Sequence, residues 1–144
     1  MSIERHDRDA IIDLTIAYCW ALDSRAWDEL DLVFTPDATA ELGRSLHGLK
    51  AIKRLVSDVL EPLEVSQHFV TNHQVHVEGD QARSRCYFLA QHVRTDGHDA
   101  DQLVIAGRYE DELTRTDQGW RISRRRLVPL WRHGEPTVLA PIAR

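Results

Sequence analysis

Apolar positions along the chain change period near its middle. From Asp7 to Leu22 they recur at Ile11, Leu14, Ala17, Tyr18 and Ala21, the spacing of a helix with one buried side. Asp23-Ser24 interrupts the run with residues suited to a break and a new N-cap. A short second helix is expected from Trp27, Leu30, Leu32, Val33 and Phe34, ended by Thr35-Pro36, because proline disfavours helical geometry in the residue before it. Asp37 to Leu42 reads as a short strand. Leu49 to Leu60 returns to helical spacing through Ile52, Leu55, Val56 and Val59, and Pro62 closes it.

The second half alternates instead. Segments 64–78, 81–95, 101–116 and 119–131 are rich in Val, Ile, Tyr, Phe and Thr. Turn chemistry separates them at Glu78-Gly79-Asp80, Thr95-Asp96-Gly97 and Thr116-Asp117-Gln118-Gly119. Helices first and consecutive hairpins afterwards predict an α+β domain: a curved antiparallel meander, half covered by three N-terminal helices. With no linker or internal repeat, residues 1–144 read as one domain with an irregular tail from about residue 133.

Composition narrows the function classes. The hydrophobic fraction is 42% and the charged fraction 28%, as in ordinary soluble proteins. Formal net charge is -5, against a nucleic-acid partner; Arg121, Arg124, Arg125 and Arg126 form only a local basic run. Two cysteines, Cys19 and Cys86, with no CxxC read as buried free thiols in a reducing cytoplasm. No signal peptide and no apolar run of about 20 residues predict no membrane association. There is no phosphate-binding glycine loop and no Gly-x-Ser-x-Gly elbow. His73 and His76, three apart, fall on opposite faces of a strand, so no metal site is expected.

Two ionisable residues carry the candidate chemistry. Asp23 closes the first helix and His68 lies on the first long strand. Simple alternation puts Ser66, His68, Val70, Asn72, Gln74 and His76 on one face, a pocket lining with a few polar groups. Taken singly, Asp23 reads as a cap, Tyr18 as a core residue and His68 as a strand histidine. Brought together, an imidazole oriented by a carboxylate can pull a proton from carbon. Gln91 and His92, on the second long strand, are further candidates to line the cavity.

Tyr18, Asp23, the Trp27 helix, Phe34-Thr35-Pro36-Asp37-Ala38, His68 followed by Asn72, and Gly119-Trp120-Arg121-Ile122 together resemble the SnoaL-like branch of the nuclear transport factor two-like superfamily. The resemblance runs from about Ile3 to Trp131 and is nearest to the group of scytalone dehydratase, bile-acid dehydratase and hexachlorocyclohexane dehydrochlorinase. It implies a cone-shaped sheet and helices around a deep pocket, with Asp23, His68 and Tyr18 catalytic. It also implies that Arg125 contacts substrate, although a one-residue bulge would turn Arg124 or Arg126 inward instead. Asn72, Trp27 and Gln91 complete the expected substrate-binding set.

The implied activity is a cofactor-independent lyase, a dehydratase-type elimination on a small alicyclic, polyketide-like or steroid-like substrate. An isomerase using the same dyad, or a non-catalytic binding or assembly domain of the same fold, are the alternatives. A homo-oligomer, trimer or dimer, is expected to cover the open face of the sheet and the apolar Val138, Leu139 and Ile142 of the tail.

Overall fold

In a computed structural model, residues 3–94 and 101–139 are described. Helix α1 spans Ile3–Asp23, a 3-10 turn spans Trp27–Leu32, and strands β1 and β2 span Phe34–Glu41 and Ser45–His47. Helix α2 follows at Leu49–Leu60. The long strands β3 (Val65–Glu78), β4 (Gln81–Arg94), β5 (Asp101–Thr116) and β6 (Gly119–Gly134) come next, and a 3-10 turn covers Pro136–Leu139. The turn expected at Thr95-Asp96-Gly97 lies outside the described residues, as does Ile142.

The six strands form one open sheet in the order β2-β1-β6-β5-β4-β3. Strands β3 to β6 are the expected antiparallel meander. The sheet as a whole is mixed, because β1 runs parallel to β6 with Ala40 opposite Arg125. Antiparallel hairpins can be read from their turns, whereas this pairing joins Ala40 to Arg125, far apart in sequence, and leaves no local signal. Pro36 sits where the β1–β6 register shifts, so its missing N–H costs no ladder bond.

The helices close one side. α1 buries Ile11, Tyr18, Ala21 and Leu22, and α2 buries Leu49, Ile52, Val56 and Leu60. Each such aliphatic side chain stabilises the fold by about 1.5–3 kcal/mol before entropy is counted. The predicted second helix is shorter than expected: it ends at Leu32, and Phe34 already opens β1.

Three irregularities aim side chains at the interior. At the end of α1, Ala26 N–H bonds Ala21 O at 2.9 Å and Arg25 N–H bonds Leu22 O at 3.2 Å, with Arg25 at φ 59. That is a Schellman termination, and it replaces the expected Asp23-Ser24 cap; Ala26, preceding the 3-10 turn, supplies no side-chain cap. In β3, Asn72 adopts φ 58 and the register with β4 shifts between Thr71 and Gln74. In β6, register slips beside Ala106/Gly107, leaving Leu130 as an extra residue. Gly107 is required there, since a Cβ would collide with the Val128 carbonyl and the Phe88 ring.

As far as Leu139, the tail is not irregular surface chain. β6 continues to Gly134, and the final turn tucks Val138, 1% exposed, into the chain's own core. Val138 therefore needs no cover from a neighbouring subunit.

Candidate active site

Helix α1 delivers Asp23 to the start of β3. There the His68 backbone N–H donates to Asp23 Oδ2 at 2.7 Å, and His68 Nδ1 lies 2.6 Å from Asp23 Oδ1. Ser66 Oγ–H donates to the same Oδ1 at 3.1 Å, and Arg25 Nη1–H donates to Ser66 Oγ at 2.8 Å. A carboxylate acceptor assigns a proton to Nδ1, so in the neutral ring the lone pair is on Nε2. Arg25 reaches Ser66 because its left-handed backbone turns the chain back on α1; its Nη1 also donates to Leu22 O at 2.8 Å.

His68 lines a cavity of about 600 Å³ between the sheet and the two helices. Its walls are mostly apolar: Leu22, Leu55, Val56, Val59, Leu60, Phe88, Ile105, Leu127 and Leu139. Besides His68, the polar side chains of Tyr18, Tyr109, His92 and Arg132 reach it, and Leu130 and Trp131 line it as well. A groove of about 710 Å³ between α1 and β3 touches the dyad from the Asp23 side, where the Nδ1 proton is already taken. A concavity of about 480 Å³ among Arg83, Arg85, Glu110, Glu112, Arg124 and Arg126 touches neither partner of the dyad.

His92 stands perpendicular to His68, ring centroids 5.8 Å apart, and its Nδ1 is 2.9 Å from the Leu103 carbonyl, to which it donates. Burial pushes its pKa down to about 4, against the pull of that carbonyl, so the ring is neutral at neutral pH. Burial likewise pushes the Tyr18 phenol up to about 12 and Tyr109 well above its ordinary value; the nearby Arg125 guanidinium opposes both shifts. Both phenols remain protonated hydrogen-bond donors.

A SnoaL-like domain is matched over residues 4–126. The chain belongs to that family. Uncharacterized proteins of Mycobacterium tuberculosis and Mycobacterium bovis are 39% identical to it over 127 residues, 85% of this chain and 84% of theirs. Among solved structures, a candidate aromatic ring hydroxylase from Novosphingobium aromaticivorans superposes with TM-score 0.83 at 33% identity, covering 96% of this chain and 99% of its own. A candidate scytalone dehydratase from the same organism gives 0.82 at 21% identity, covering 92% and 89%. A hexachlorocyclohexane dehydrochlorinase, LinA type 2, gives 0.81 at 23% identity, covering 92% and 90%. The last two matches show the shared fold.

Within this SnoaL-like domain the sequence-predicted residues divide. Tyr18 and His68 line the cavity, and Asp23 holds His68 from the groove between α1 and β3. Of the three adjacent arginines, Arg125 is the one that turns inward, but it sits behind the wall. It forms a bidentate pair with Asp111 at 2.8 and 2.8 Å, both side chains fully buried. Its guanidinium lies between the Tyr18 and Tyr109 rings, 4.3 and 4.0 Å from their centroids. Burial penalises its charge, and the Asp111 carboxylate more than offsets this, so its pKa is raised. Arg125 braces the two phenols and does not line the cavity.

Asn72, Trp27 and Gln91 are also placed outside the cavity. The β3 bulge reverses the alternation: Ser66, His68 and Val70 face inward before it, and His73, Val75 and Val77 after it. Asn72 is therefore exposed, accepting from the Thr71 hydroxyl, while His73 turns in to Thr15 at 2.7 Å. Trp27 donates its indole N–H to Glu61 at the surface. Gln91 bonds Gln102 on the outer face, opposite to Ala90 and His92. Tyr109 and Arg25 had no place in the expected site, and Ser66 was placed on the face of His68 without a role. Tyr109 was visible in principle, since Leu103, Ile105, Gly107, Tyr109, Asp111 and Leu113 alternate inward along β5. Among the described residues, no three His, Cys, Asp or Glu side chains are grouped to hold a metal, and no helix is long and apolar enough to cross a membrane.

Proposed function

We propose that this SnoaL-like domain is a cofactor-independent lyase that eliminates water from a β-hydroxy carbonyl compound of alicyclic, polyketide-like or steroid-like build. The observation that carries the reading is the 2.6 Å contact of His68 Nδ1 with Asp23 at the edge of an apolar cavity. Nε2 takes a proton from the carbon beside the carbonyl, and Asp23 stabilises the imidazolium that forms. Tyr18 donates its hydrogen bond to the carbonyl oxygen as that oxygen gathers charge. The electron pair left on carbon forms the double bond and expels the β-hydroxyl, which takes the proton from the imidazolium and departs as water. A phenol whose pKa is about 12 suits hydrogen-bond donation better than full proton release, so the imidazolium is the acid in this scheme.

The open cavity favours this reading over a pure assembly role, in which side chains would fill the space. Screening β-hydroxy ketones for turnover tests it. His68→Ala and Asp23→Asn are each expected to lose about 10²–10⁴-fold in kcat/KM. A compound converted equally well by wild type and both variants would remove the dyad from the chemistry. A product with a shifted double bond and no loss of water would make the protein an isomerase.

A further inference from the structure

The cavity rim carries one arginine. Among the described residues lining the hollow, Arg132 is the only Arg, Lys, Asp or Glu, and it makes no ion pair with a described residue. Its inward aim is built into the strand. Regular alternation from Leu127 and Pro129 would turn Trp131 inward and Arg132 out. The extra residue at Leu130 brings Arg132 in: Trp131 pairs with Ala106 and Arg132 with Ile105, and Leu130, Trp131 and Arg132 all line the hollow. Bulges next to binding sites commonly re-aim a side chain in this way.

Register then places Arg132 relative to the base. His68 pairs with Ala90, Ala90 with Ile105, and Ile105 with Arg132, so all four occupy one row across the inner face. Three strand spacings of about 4.8 Å put the base and the cation about 14 Å apart along the sheet, and closer across the hollow because the sheet curves. Ala90 and Ile105 form an apolar floor between them.

We propose that Arg132 is an anion-recognition residue, and that the substrate is an apolar ring or chain compound carrying a carboxylate at the end opposite the C–H that His68 deprotonates. A guanidinium fork matches a carboxylate with two parallel hydrogen bonds. At the rim it keeps its hydration until ligand arrives, while the apolar body of the ligand enters the hollow. On a chain of net charge -5, this inward guanidinium also draws an acid to the right entrance. The inference rests on the cavity being the substrate site proposed above.

Calorimetric titration with 2-naphthylacetate and its uncharged amide tests it. Wild type is expected to bind the acid about fivefold more tightly than the amide, the scale of a solvent-exposed ion pair. Arg132→Gln should erase that preference, Arg132→Glu should reverse it, and Arg132→Lys should keep part of it. Arg124→Gln, an equal charge change on the outer face, should leave it intact. His68→Ala should also keep the acid preference, so failure of the elimination chemistry and failure of the anion site read out separately. Equal binding of acid and amide by wild type, binding of neither, or an undiminished preference in Arg132→Gln would overturn the proposal.

Discussion

Asp23 accepts three hydrogen bonds from two residues of β3, and each does separate work. The backbone N–H of His68 fixes the carboxylate's plane, the ring N–H fixes the imidazole tautomer, and Ser66 ties the group to Arg25. His92 beside them is held neutral by burial, which makes it a pH-sensitive element of stability. Its folded pKa, about 4, lies below the ordinary histidine value of 6.5. The unfolded chain therefore takes up this proton first. The contribution is complete above pH 6.5 and is lost as pH falls from 6.5 towards 4, by about 2–3 kcal/mol. Urea titrations of wild type and His92→Gln across that range should show a shallower acid limb in the variant; parallel limbs would contradict a neutral buried ring. At this scale the sequence was informative where chemistry is paired and silent where it is braced. Asp23, His68 and Tyr18 could be assembled by resemblance, whereas Arg25 and Ser66 matter only through contacts 41 residues apart.

Irregularities in the strands decide which side chains reach the interior. The periods of α1, α2 and the four long strands were legible because each has one buried face. Bulges were not, because a single extra residue has no compositional signature unless it is glycine. Asn72 shows the consequence: one residue in left-handed geometry moved it out of the cavity and His73 in. Asparagine tolerates that conformation and β-branched residues do not. Asn72→Val should lose about 1–3 kcal/mol in chemical denaturation, and Asn72→Gly should lose little or gain. Equal losses for both would mean that the side chain of Asn72, and not its backbone, sustains the bulge.

On the scale of the molecule, β1, β6 and β5 converge on a charged centre. Ala40 pairs with Arg125 and Arg125 with Asp111, placing a buried ion pair beneath two tyrosine rings. Arg125→Met leaves an uncompensated carboxylate and should cost about 3–5 kcal/mol; adding Asp111→Leu should restore part of that loss. Thermal denaturation of the single and double variants measures both numbers, and a double variant less stable than the single one would contradict this picture. The parallel β1–β6 pairing that builds this centre was the part of the topology least legible in sequence, since nothing local specifies it. The outer face of the sheet still leaves Val65, Phe69 and Tyr87 about half exposed, an apolar surface of the kind expected to be covered by another subunit, whereas Val138 is buried.

The proposed base works through one tautomer of the neutral His68 ring, with its proton on Nδ1 facing Asp23 and its lone pair on Nε2. Long-range proton–nitrogen correlation spectra of ¹⁵N-histidine-labelled protein read that state directly, without a substrate. The expected spectrum of the neutral ring has His68 protonated at Nδ1 and bare at Nε2, with the preference lost in Asp23→Asn. A wild-type His68 carrying its proton on Nε2 would contradict the account.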